Sequence, residues 1–152
     1  MKTQEEWFSE YAGSHENKTN QLIHYVCVPV IYFSIIGMVT SIPSNAIETV
    51  LNLSNPYIEN WATIIFIMLM FFYIRLSTKT FVVMTIFSTI SIFINIQLSY
   101  TLPLFPISAI VFFIALVGEF YGHTIEGKKP SFFKGLPFLL ISPAWVFEKI
   151  SN

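Results

Sequence analysis

The sequence predicts an all-α integral membrane protein: a helical bundle of four transmembrane helices, with an amphipathic N-terminal helix and a C-terminal re-entrant or interfacial segment. Three observations predict it. Of 152 residues, 54% are hydrophobic and 11% charged, against roughly 25% charged in an average soluble domain. The charges are separated by long uncharged gaps. The basic residues fall on one side of the membrane once those gaps are taken as spans. Sixteen Phe, seven Tyr and three Trp also exceed what a soluble core of this length uses, so the bilayer is the expected solvent.

A charge at the bilayer centre costs at least ~2.5 kcal/mol on insertion scales, so uncharged gaps locate spans. Between Lys18 and Glu48 lie 29 uncharged residues; 22–40 form the apolar part, enough for one span of about 20 residues, ended by Ser41-Ile42-Pro43-Ser44-Asn45. The 15 residues between Glu59 and Arg75 open with Trp61 and close with Tyr73, an aromatic belt at both interfaces. Between Lys79 and Glu119 lie 39, too many for one helix and divided by Thr101-Leu102-Pro103-Leu104-Phe105-Pro106, so two spans joined by a proline turn fit. The 12 residues 136–147 contain Pro137 and Pro143 and are too few to cross, which reads as re-entrant or interfacial. The acidic amino terminus lacks the form of a secretory signal, so the first apolar segment is expected to stay in the mature protein.

With the amino terminus inside, Lys2, Lys18, Arg75, Lys79, Lys128, Lys129 and Lys134 are all cytoplasmic, and Lys149 joins them if the last segment does not cross. The outer loops, 41–60 and 100–106, carry only Glu48 and Glu59, which satisfies the positive-inside rule. With no internal repeat, one membrane-embedded domain, 1–152, is expected. The minimal loops favour a bacterial inner membrane over the endoplasmic reticulum. A net charge of −1 provides no field for nucleic acid. Cys27, the single cysteine, excludes internal disulfides, CxxC chemistry and thiolate cages. Any metal must therefore sit on His and Glu, since the chain has no Asp.

This topology brings His15, His24 and His123 to one membrane face. His15 and His24 are nine residues apart, which on one helix means opposite sides. Asn17-Lys18-Thr19-Asn20 breaks the helix between them, with Thr19 or Asn20 as N-cap of a helix starting at Gln21. His15 then ends a short interfacial helix anchored by Trp7, Phe8 and Tyr11. On the fourth span Glu119, His123 and Glu126 are spaced four and three residues apart and share one face. Gly127 is placed as the helix C′ residue. An ionisable group as deep as Glu119 faces the protein interior by default and marks a site. Each residue also has a plainer role: interfacial histidine, protonated or Lys-paired Glu119, Lys128 and Lys129 as topology determinants and secondarily a seat for an anionic headgroup.

At these residues the chain resembles the 2-hydroxy-fatty-acid dioxygenases of phytosphingosine breakdown, small integral membrane proteins first recognised as a domain of unknown function. Tyr11-x3-His15-x4-Asn20-x3-His24-x4-Pro29 is similar to that family's first motif. Gly122-His123-x2-Glu126-x3-Pro130, continued by Pro143 and Glu148, is similar to its second. The resemblance implies an Fe(II)-dependent enzyme that uses O₂ for α-oxidation of a long-chain 2-hydroxy fatty acid, returning an acid one carbon shorter. It implies iron on His15, His24 and His123. The family often has Gln four residues before the motif histidine, where this chain has Glu119. Either Glu119 completes a histidine-carboxylate site, or it stands behind the ligands and Glu126 has the larger role; both are candidate catalytic residues. Imidazole and carboxylate suit Fe(II), with open positions for O₂ and a chelating substrate. Tyr11, Asn20 and Lys128 are the candidate substrate contacts, the first two also as partners of ligating histidines. Two rivals remain from the residues alone: a zinc-dependent membrane lipid hydrolase with Glu119 or Glu126 as general base, and a non-enzymatic membrane scaffold or transporter subunit.

Overall fold

A computed structural model describes residues 2–130 and 135–151; Lys134 lies outside the described residues. Among these the chain is all-α: α1 (Gln4–Ala12), α2 (Lys18–Thr40), α3 (Asn45–Leu51), α4 (Trp61–Leu76), α5 (Thr78–Ser99), α6 (Leu104–Glu126) and α7 (Leu136–Ile150). By length and composition, α2, α5 and α6 can each cross a membrane, while α4 is a shorter apolar helix. At 1.5 Å per residue α4 is about 24 Å long and α7 about 22 Å, against a hydrocarbon core of about 30 Å. The chain forms two compact units, Met1–Tyr32 with Phe112–Asn152, and Phe33–Val111.

In the second unit α4 and α5 make a hairpin on one extended residue, Ser77, whose N–H bonds Tyr73 O and whose hydroxyl accepts from Thr80 N. One residue suffices because Ser77 closes one helix and caps the next. Ala62, Ile92 and Ile96 form the apolar centre with Ile36, Val39 and Phe66 around them. Gly37 admits a close polar contact: a Cβ there would lie 2.3 Å from Ser108 Oγ and 2.5 Å from Asn95 Oδ1. Asn95, fully buried, donates to Ser91 O of its own helix at 2.9 Å and to Phe33 O of α2 at 3.3 Å, the latter the interhelical polar bonding expected where lipid offers no alternative. The break between the two helices forms where the prolines predict it but is shorter than the expected 100–106: α5 ends at Ser99 and α6 starts at Leu104, so Pro106 lies in the first turn of α6, where its missing N–H costs nothing.

The segment between the first two predicted spans contains a helix the sequence reading treated as loop. α3 buries Ile47 and stops at Asn52, which takes the left-handed conformation (φ 51°), a position Asn tolerates. Beyond it the buried Glu59 carboxylate accepts from Leu53 N at 2.7 Å and Asn55 N at 2.8 Å, which folds this stretch on itself.

In the first unit Thr3 and Glu6 form a capping box at the start of α1. The sequence placed Trp7, Phe8 and Tyr11 in the lipid interface. Instead Trp7 meets Phe138 edge-on at 5.3 Å, and Tyr11 is buried with its ring 5.1 Å from Trp145 and its hydroxyl on Ser142. Their partner is α7, whose Ile141, Ala144, Trp145 and Val146 are also buried. A segment too short to cross hides its apolar face against protein.

Candidate metal centre

Three segments each present one imidazole. His24 lies two turns into α2 and His123 near the end of α6, while His15 sits on the non-helical residues between α1 and α2. Asn17 is the cap that separates His15 from His24, its Oδ1 accepting from Thr19 N at 2.9 Å and Asn20 N at 3.4 Å. The cap thus lies two or three residues before the Thr19 or Asn20 that the sequence predicts. Because Asn17 caps, Asn20 is free for another use.

All three rings are buried, at 1%, 0% and 4% exposure for His15, His24 and His123. Their centroids are 4.3 Å (15 to 24), 4.9 Å (15 to 123) and 4.8 Å (24 to 123) apart, with interplanar angles of 76°, 68° and 88°. One ligand atom from each lies within 4.8 Å of the others. Backbone carbonyls fix two of the tautomers. His15 Nδ1 is 2.8 Å from Tyr11 O and His24 Nδ1 is 2.9 Å from Asn20 O. A carbonyl only accepts, so both Nδ1 atoms carry the proton and both Nε2 atoms keep a lone pair.

His24 Nε2 is 3.2 Å from His123 Nε2. An ion bonded at about 2.1 Å holds two nitrogens about 3.0 Å apart at a right angle and about 3.4 Å apart in a tetrahedron. The observed spacing falls between them. Glu119 Oε2 is 3.6 Å from His24 Nε2, and Glu119 Oε1 is buried without a hydrogen-bond partner. A buried carboxylate oxygen left bare beside converging imidazoles is costly unless a cation or proton meets it. The donor set of three imidazoles and one carboxylate therefore fits a divalent transition metal.

The remaining predicted site residues support this cluster from behind. Tyr11 stacks on His15 at 4.2 Å. Burial, with the negative charge of Glu119 adding to it, holds the Tyr11 phenol well above its ordinary pKa against the opposing Ser142 hydrogen bond, so it stays protonated. Asn20 is fully buried, and its amide donates to Ser14 O at 3.4 Å and Glu126 Oε2 at 3.1 Å. Glu126 turns its carboxylate to Glu16 N and Asn17 N, each at 2.9 Å. Lys128 reaches Gly13 O at 2.8 Å and Glu16 Oε2 at 2.9 Å.

Sequence reasoning missed three contributors. Trp145 closes over His15 at 5.5 Å, and Ser142 holds Tyr11; the signal was a Trp and a Ser in an apolar segment too short to span. The third is a close α2–α6 crossing at Gly118 and Gly122, a G-x-x-x-G pair in an apolar helix. A Cβ at Gly118 would lie 2.7 Å from Cys27 Sγ, and one at Gly122 would lie 2.4 Å from Asn20 Oδ1. That close approach lets His24 reach His123. Gly122→Ala is therefore expected to push α2 away, lowering stability by roughly 1–3 kcal/mol, as overpacking does, and weakening metal binding with it. Thermal melting and a metal titration of the same variant measure both.

A family model described as Mpo1-like, 2-hydroxy-palmitic acid dioxygenase Mpo1-like, matches residues 1–152. No match is found among curated proteins or solved structures. Since the family model takes in the whole chain, both histidine-bearing ends included, the protein belongs to the Mpo1-like family of 2-hydroxy-palmitic acid dioxygenases.

Proposed function

We propose that the protein is an Fe(II)-dependent dioxygenase that converts long-chain 2-hydroxy fatty acids to acids one carbon shorter with O₂, at the cytoplasmic face of the membrane. The observation that carries it is the convergence of His15, His24 and His123 beside the bare oxygen of Glu119, in a chain of a family named for that reaction. The three Nε2 atoms would hold the metal. Bound Fe(II) supplies the capacity to take O₂ together with a substrate chelating through its hydroxyl and carboxylate. Glu119 is positioned to accept the proton of the 2-hydroxyl at Oε1, or to serve as a further ligand. Tyr11 and Asn20 hold the imidazoles in orientation through their carbonyls. Lys128, about half exposed, retains N–H capacity for the substrate carboxylate. Water is kept from the imidazoles by Tyr11 and Trp145.

The alkyl chain would lie along apolar helix surface such as Leu22 and Val26, both well exposed. A longer chain would only trade lipid contact for contact with equally apolar helix surface, so broad chain-length tolerance follows. In this reading 1–152 is one membrane domain, consistent with the full-length family match. It has four spans, α4 being the short one, and α7 stays on the cytoplasmic side. Support comes from the basic residues Lys18, Arg75, Lys79 and Lys128 flanking the helices at the face assigned as inner, against Glu48 and Glu59 at the other. A bacterial inner membrane accords with the short loops.

The test is to purify the protein in detergent, load Fe(II) without oxygen, add 2-hydroxypalmitate and admit O₂. The expected result is uptake of one O₂ per substrate with release of the fifteen-carbon acid, the lost carboxyl carbon leaving as CO₂ and the remaining oxygen as water. Iron-loaded protein that consumes no O₂, or zinc-loaded protein that hydrolyses lipid without it, would overturn this reading.

A further inference from the structure

Among the three imidazoles, His15 alone is not on a helix. α1 ends at Ala12 and α2 begins at Lys18, so residues 13–17 lie outside both helices: Gly13 N still bonds Ser9 O and Asn17 O accepts from Gln21 N at the two ends, and between them stand only the turn bonds Ser14 N to Tyr11 O and His15 N to Ala12 O. A ligand on such a segment keeps its place only if the segment is held elsewhere. Every residue of it is held. Lys128 donates to Gly13 O, Asn20 Nδ2 to Ser14 O and Gln21 Nε2 to His15 O at 2.7 Å. Glu16 N and Asn17 N both donate to the Glu126 carboxylate.

Glu126 has a special share in this arrangement. Its two oxygens accept three N–H groups, from Glu16, Asn17 and Asn20, and hydrogen bonds to an ionised acceptor are about twice as strong as neutral ones. The negative charge also faces the amino-terminal end of α2, where the helix dipole favours it. Glu126 lies three residues beyond His123 on α6. One helix end therefore supplies one imidazole directly and fastens the backbone that carries another.

We propose that Glu126 is a positioning residue for the metal centre, clasping residues 13–17 so that His15 presents Nε2 to the point shared by His24 and His123. This rests on reading the three histidines as a metal site. Glu126 does not touch the reacting atoms in this role, and Lys128 is the second, weaker arm of the same clasp.

The experiment is a Co(II) titration, followed by visible ligand-field absorption, of the full-length protein in detergent. Wild type, Glu126→Gln, His15→Ala and the double variant are compared. Glutamine keeps the size but turns an amide toward N–H donors. Loss of such an outer contact typically costs 10–100-fold in metal affinity, which is the expected effect of Glu126→Gln, with its absorption moving toward that of His15→Ala. In the His15→Ala background the same change is expected to cost less than about twofold, because coupled residues are not additive. A general structural role would weaken binding equally in both backgrounds, and multiplying penalties would overturn the proposal. Glu126→Gln binding like wild type would also overturn it while leaving the metal reading intact. Wild-type protein that binds no cobalt would overturn the metal reading and the clasp together. If Glu126→Gln fails to fold by far-UV circular dichroism, Lys128→Met carries the same cycle, with a smaller loss that also vanishes in His15→Ala; a loss of equal size in both backgrounds would overturn the proposal.

Discussion

His24→Ala is expected to lose its metal, with affinity falling about a hundredfold or more, and to become indifferent to chelators. Structural four-ligand sites gain about 10–16 kcal/mol from the ion, so one ligand accounts for roughly 3 kcal/mol or more. His24 is the most enclosed of the three rings, and its Nε2 stands 3.2 Å from His123 Nε2 and 3.6 Å from Glu119 Oε2. Its loss leaves two imidazoles without a central partner. A buried histidine of purely structural use would also cost stability when truncated, through Asn20 O and the contacts of its ring. The two cases separate on melting with and without metal. A ligand that binds only the folded state raises stability by about 4 kcal/mol at a thousand times its Kd. Wild-type Tm should therefore rise on adding Fe(II) and fall with chelator, while His24→Ala should melt at one temperature in both. Equal metal-dependent shifts in the two proteins would remove His24 from the site.

The apolar helices were legible because charge is excluded from lipid more strictly than any propensity operates, and three of them, α2, α5 and α6, are long enough to cross. The apolar run 22–40 lies within α2, and the segment from Trp61 to Tyr73 within α4. The convergence of the histidines was legible in part, since Asn17 to Asn20 signalled a break that takes His15 off the helix of His24. The identity of the cap was not, because Asn17, Thr19 and Asn20 all have capping side chains and only packing selects among them. That selection matters: with Asn17 as cap, Asn20 turns to Ser14 and Glu126. The use of Glu126 was hidden for a deeper reason. Two of its partners are the backbone N–H groups of Glu16 and Asn17, and every residue but proline has one. Gly118 likewise reads as one more small residue until Cys27 is found against it.

Trp145→Ala is expected to be the most destabilising single truncation at this end of the chain. Trp145 is 1% exposed, and its indole touches the rings of Tyr11, His15 and Tyr25, with Lys149 Nζ 5.9 Å from its centroid. Removing a buried Trp costs about 3–5 kcal/mol in transfer and cavity energy. The loss falls on the contact surface between α7 and α1, beside the Trp7–Phe138 and Tyr11–Ser142 contacts. It also opens the wall behind His15 to water. Metal affinity should fall by less than in His24→Ala, since no donor is removed, while Tm should fall by more. Trp145→Phe should restore most of the melting temperature, because an aromatic face against Tyr11 survives. The reverse ranking, with metal binding lost and melting unchanged, would mean that Trp145 acts on the centre directly and not through the packing of α7.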